Sequence, residues 1–196
     1  MSFKLGDPLD LERMAKTGYR YILMDTCFVV KEIDSLARLC DPSFIKSSGR
    51  VPSLCDFTLR EFRSLSGSGG KEAAIMNKIV RERSFGMGHI WRKYQRMIDS
   101  GGVVITIDTG VSSRAETNRL IHELDRGYRR LILSRYSGHR SRGNPYDLAL
   151  AAVAILLASS GVKSGVATTD RRLLELAREL GGECGLDMEV WSRPWL

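Results

Sequence analysis

Short apolar runs that alternate with stretches of helical spacing constrain this chain more than any other feature. The runs fall at residues 21–30, 50–54, 103–107, 165–169 and 188–191, bounded by Gly, Pro, Asp and Ser. Strands separated by helices cannot close as tight hairpins. Their crossover connections make them parallel, and helices then cover both faces of the sheet. The expected fold class is α/β, a three-layer α/β/α sandwich around a mostly parallel, about five-stranded sheet. Residues 1–20 read as a helical extension, with Asp7 as cap, Pro8 at the first helical position and Gly18 as stop. Residues 21–196 read as one domain with a helical insertion around 71–140.

Within that frame, residues 21–30 are expected to be a buried strand running into a helix over 31–40. Asp41-Pro42 and Ser47-Ser48-Gly49 are expected to break the chain. Asp56 is placed to cap a helix carrying Glu61 and Phe62, and residues 71–100 read as helical with a break at Gly86 and Gly88. Ser113 with Glu116 forms a capping-box pattern that starts one long helix to about residue 136. Pro145 opens a nearly all-apolar helix to Ser160, and residues 171–180 form the last one.

Several classes of function are disfavoured. The longest apolar run, residues 148–158, is too short to span a membrane. Residues 1–8 lack the apolar core of a signal peptide, so a cytoplasmic location is expected. Cys27, Cys40, Cys55 and Cys184 show no metal-ligand spacing and read as reduced, small hydrophobes. The Gly67-Ser68-Gly69-Gly70 loop has no following Lys-Ser or Lys-Thr, so it is not a phosphate-binding P-loop. His139 lies in a basic loop, while His89 and His122 fall within helical patterns.

The acids are more telling. Asp25 follows Tyr21-Ile22-Leu23-Met24, Asp170 follows Gly165-Val166-Ala167-Thr168-Thr169, Asp147 opens the apolar helix, and Glu61 begins the helix after the second strand. Taken singly, Asp147 can serve a helix dipole, Asp170 can cap a helix, and Glu61 can be solvated. Asp25 has no such structural excuse. In an open parallel sheet, sites form beyond the carboxyl ends of the strands, where Asp25, Asp108 and Asp170 all lie. Carboxylates without clustered Cys or His select Mg²⁺ or Mn²⁺. The chain nevertheless carries a net charge of +7. Its cations concentrate at Lys78, Arg81, Arg83, Arg92, Lys93 and Arg96, and again at Arg126, Arg129, Arg130, Arg135, Arg140 and Arg142. An acidic cluster on a basic surface points to metal-assisted hydrolysis of a polyanion, with arginines on the neighbouring phosphates.

These residues carry a family resemblance covering nearly all of residues 21–191. Leu23-Met24-Asp25-Thr26, Val51-Pro52-Ser53 leading to Leu59-Arg60-Glu61-Phe62, Asp147-Leu148-Ala149-Leu150-Ala151-Ala152-Val153-Ala154, Ala167-Thr168-Thr169-Asp170-Arg171-Arg172-Leu173 and Glu189-Val190-Trp191 together resemble the PIN domain. That is a fold of metal-dependent nucleases which includes the toxin ribonucleases of VapBC type. The resemblance implies that Asp25, Glu61, Asp147 and Asp170 are catalytic acids binding Mg²⁺ or Mn²⁺, with Thr26 and Thr169 as polar support. Asp108 is left outside that quartet. Arg140 and Arg142 are the candidates for phosphate contacts near the cut, with Arg81, Arg92, Lys93 and Arg96 as a more distant track.

The activity expected is divalent-metal-dependent, endonucleolytic hydrolysis of RNA, with DNA left open as substrate. One alternative is a toxin ribonuclease controlled by an antitoxin, although the long stretch between Glu61 and Asp147 departs from toxin-type relatives. Another is a non-catalytic RNA-binding or assembly module. Relatives often dimerise, and the apolar residues of the 71–100 region suit a homodimer contact.

Overall fold

The computed structural model describes residues 2–65, 87–137, 145–182 and 184–196. They form six strands and, among the described residues, ten helices. The strands are β1 Ser2–Lys4, β2 Arg20–Met24, β3 Arg50–Cys55, β4 Ile105–Asp108, β5 Ser164–Ala167 and β6 Met188–Trp191. All pair in parallel, in the order β1-β4-β3-β2-β5-β6. The helices are α1 Pro8–Lys16, α2 Thr26–Lys31, α3 Ile33–Leu39, α4 Pro42–Ser48, α5 Asp56–Leu65, α6 Met87–Asp99, α7 Arg114–His122, α8 Arg126–Ser137, α9 Pro145–Ser159 and α10 Arg171–Gly182. The α/β sandwich expected from the alternation is the architecture observed.

Side-chain patterns explain the strand order. Every residue of β5 and all but the first of β2 are buried, as befits interior strands covered on both faces. The edge strand β1 buries only Phe3, which meets the Tyr21 ring edge-on at 6.1 Å. Successive residues then feed opposite cores. Tyr21, Leu23, Val51, Ile107 and Val166 pack with α9 and α10 on one face. Ile22, Met24, Leu54 and Ala167 pack with α2, α3 and α6 on the other.

Helix α9 is apolar all round because it is buried all round, from Leu148 through Ile155. Its alanines let it lie close to the sheet, and Ser164 Oγ donates to the Ala154 carbonyl at 3.3 Å. At the amino edge of the sheet, Arg20 and Arg50 both bind Glu189, at 3.1 and 2.7 Å, and Arg20 also binds Asp187 at 2.6 Å. Arg50 further lies over the Trp191 ring, 5.4 Å from its centre. These guanidiniums tie together strands that are distant in sequence.

Four elements differ from expectation. Ser2–Lys4 adds a sixth, edge strand ahead of the expected helix α1. Residues 27–30 are helical rather than extended, because β2 stops at Met24 and the Asp25 carbonyl already accepts the Val29 N–H at 3.0 Å. A run apolar on every side has no period to separate strand from helix. Pro42–Ser48, expected as a break, is a short helix capped by Asp41 and closed by Gly49 at φ 68°. The long helix from Ser113 splits into α7 and α8, where Arg129 Nη2 donates to the carbonyls of His122 at 2.6 Å and Leu124 at 3.1 Å. Those bonds satisfy carbonyls that the interrupted helix leaves open. The capping box itself is present, with Glu116 N–H on Ser113 Oγ at 3.3 Å.

No helix among the described residues is long and apolar enough to cross a membrane. The glycine loop at 67–70 and the 71–86 part of the expected insertion lie outside the described residues.

Candidate functional site

The strand order contains one switch point. From β2 the chain proceeds to β3 and β4 on one side, then crosses back to β5 and β6 on the other. The connections therefore diverge at the carboxyl ends of β2 and β5, and open sheets bind ligands in such a crevice. Asp25 is the first residue beyond β2, and Asp170 lies three residues beyond β5.

Asp25 holds the N-cap position of α2 with extended backbone, yet its side chain does not cap that helix. Its Oδ2 instead accepts from Cys27 Sγ at 2.6 Å and from Thr168 Oγ1 at 2.8 Å. Only 9% of the residue is exposed. Burial raises the pKa of its carboxyl, the nearby charge of Asp170 raises it further, and the hydrogen bonds from Cys27, Thr168 and the Thr26 backbone pull the other way.

Asp147 sits in the first turn of α9, in a half-buried position. Its pKa is pushed up to about 8, first by burial and then by the charges of Asp25, Asp170 and Glu61, against a downward pull from Arg172. Asp25, Asp170 and Glu61 thus all act on Asp147, although they come from the end of β2, the β5–α10 turn and α5. The Tyr146 and Phe57 rings stack at 5.4 Å and 5°, which fixes the start of α9 against the helix that carries Glu61.

Glu61 stands in the middle of α5, not at its start. Thr26 Oγ1 donates to its Oε2 at 2.5 Å, so Thr26 links Glu61 to the turn that bears Asp25. Asp170 does cap α10, through Oδ1 to the N–H groups of Arg172 and Leu173, both at 2.9 Å. Its local and cluster roles coexist because one oxygen serves the cap. Asp108 is spent on a turn, its Oδ1 accepting the Gly110 N–H at 3.2 Å.

Thr169 offers its backbone N–H to Cys27 Sγ at 3.4 Å, and its side chain also engages that thiol. The neighbouring Thr168 supports the acids directly. Its buried hydroxyl donates to Asp25 and accepts the Asp170 N–H at 3.0 Å. Thr168, which nothing in the sequence singles out, is the more buried of the two. Cys27 was read as a plain hydrophobe. All four cysteines are free thiols, but Cys27 is wedged among the acids and its pKa is pushed up to about 12 by burial and by Asp25.

Of the expected phosphate contacts, Arg92 and Arg96 are exposed on α6, and Lys93 pairs with Asp34. Arg81, Arg140, Arg142 and His139 lie outside the described residues. As placed, no three His, Cys, Asp or Glu side chains among the described residues form a ready-made metal cage. The donors that converge are nonetheless hard oxygens, and their mutual repulsion is of the kind a divalent cation relieves.

No protein-family model matches the chain, and neither does any curated protein.

Proposed function

We propose that the protein is a divalent-metal-dependent ribonuclease that cuts RNA endonucleolytically at the crevice between β2 and β5. The observation that carries this reading is the gathering of Asp25, Asp170 and Glu61 around Asp147 at the switch point, where burial first and then their charges push its carboxyl up to about 8. A buried group of acids is costly as a structural device and useful as a cation site. The net charge of +7 favours a polyanionic substrate.

Asp25, Asp147, Asp170 and Glu61 would hold Mg²⁺ or Mn²⁺. Bound there, such an ion supplies a water acidic enough to attack a phosphodiester and charge to steady the leaving oxygen. The rest falls to the chain. Thr168 and Cys27 engage Oδ2 of Asp25 and thereby hold its carboxylate in place. Thr26 does the same for Glu61.

The test is a Mg²⁺ and Mn²⁺ titration of cleavage on single-stranded and structured RNA and DNA, with Asp25→Asn as control. The expected result is cleavage of RNA that the variant loses while keeping its fold and RNA binding. Full activity in Asp25→Asn, or no divalent-dependent products from the wild type, removes the proposal.

A further inference from the structure

Four carboxylates repel the phosphate they are proposed to act on, so a cation of the chain's own beside them has a purpose. The guanidiniums near the sheet are mostly committed elsewhere. Arg20 and Arg50 bind Asp187 and Glu189 at the opposite, amino edge. Arg60 binds Asp56 at 3.1 Å and also donates to the Val111 carbonyl. Arg171 binds Glu175 at 2.8 Å. Arg172 differs: it is exposed and its guanidinium has no hydrogen bond or ion pair among the described residues.

Its placement is also unusual. Arg172 lies in the first turn of the twelve-residue helix α10, where the macrodipole disfavours a positive charge. Its backbone is held there by Asp170 Oδ1, at 2.9 Å, so the residue cannot drift from the crevice.

We infer that Arg172 contacts the phosphate group on which the acidic crevice acts, an assignment that rests on the ribonuclease reading. A planar guanidinium can grip two phosphate oxygens at once, which a lysine cannot reproduce. The substrate class this implies is a single-stranded polynucleotide that brings its backbone over the start of α10, between Asp170 and Asp147.

The test compares the wild-type full chain with Arg172→Ala, Arg172→Lys and Arg171→Ala on a single-stranded RNA oligonucleotide. Two quantities are read: kcat/KM in Mg²⁺ or Mn²⁺, and the salt dependence of binding in chelator. Arg172→Ala is expected to lose about ten- to a hundredfold in kcat/KM, the range of one charge-assisted hydrogen-bonding group. Its log–log salt slope for binding should become shallower by about 0.7, one phosphate contact on a single strand. Arg172→Lys should keep the slope and recover only part of the rate, and Arg171→Ala should match the wild type in both.

A wild-type rate and slope in Arg172→Ala overturn the assignment. So does a lost rate with an unchanged slope, which leaves Arg172 acting only on the ionisation of Asp147. If the wild type shows no divalent-dependent cleavage, the ribonuclease reading fails, and the salt slope alone then judges Arg172.

Discussion

The hydroxyl of Thr168 donates to Asp25 at 2.8 Å and accepts the backbone N–H of Asp170 at 3.0 Å. One buried atom therefore sets the spacing between two acids from different strands. Thr168→Val keeps the shape and removes both bonds, leaving Asp25 Oδ2 with Cys27 alone and depriving the Asp170 N–H of its acceptor. A loss of ~1–3 kcal/mol is expected in urea denaturation, together with reduced cleavage. Thr168→Ser should recover most of both. A valine variant as stable as the wild type would show that this hydroxyl is dispensable.

Asp147 makes stability depend on pH with a definite sign. Its carboxyl binds a proton more tightly in the folded chain, near 8, than at its ordinary value of 3.8. The folded state therefore holds the extra proton between those values, and stability falls as pH rises from about 4 towards 8. Asp147→Asn cannot ionise. In chelator at pH 8 it should be more stable than the wild type by at least ~1 kcal/mol, the worth of roughly one pKa unit. The gap should close near pH 4, and added Mg²⁺ or Mn²⁺ should narrow it at pH 8 by stabilising the wild type alone. Denaturation midpoints at several pH values decide this, and a gap that does not change with pH would refute it.

The thiols of Cys27 and Cys40 are both raised to about 12, mainly by burial, and that of Cys55 is raised well above its ordinary value. At pH 8 a thiol of that pKa is ionised in roughly one molecule in 10⁴, and only the thiolate is nucleophilic. A thiol reagent should therefore label these three slowly in the native protein and rapidly in denaturant. Mass spectrometry of the labelled peptides checks the order; fast native labelling of Cys27 would contradict the packing around Asp25.

Gly165 occupies the interior strand β5, where a β-carbon would stand 2.7 Å from Ile22 Cδ1 and 3.0 Å from the Glu189 carbonyl oxygen. The Ile22 contact can relax by rotation, but the backbone carbonyl cannot move without disturbing β6. Gly165→Ala is expected to cost about 1–3 kcal/mol by overpacking, read as a lowered thermal midpoint. An unchanged midpoint would mean that β6 is more yielding than its pairing indicates.

The layers and the acids were legible in the sequence for different reasons. The alternation of apolar runs with helical spacing prescribes parallel strands, and Asp25 after four apolar residues signals a charge with no local use. What escaped were features that depend on tertiary pairing. Ser2–Lys4 is too short to read as a strand until β4 is beside it. Residues 28–30 are all buried, which erases the periodicity that marks a helix. The role of Thr168 arises from a contact spanning 143 residues.

The pairing of β2 with β5 matches Tyr21 to Ser164 and Met24 to Ala167. During synthesis the first acid therefore leaves the ribosome long before its partners at 147 and 170 exist. A chain truncated before β5 can bury part of its core but cannot assemble the acidic crevice. The chemistry proposed for it is withheld from any nascent chain that has not yet reached Asp170.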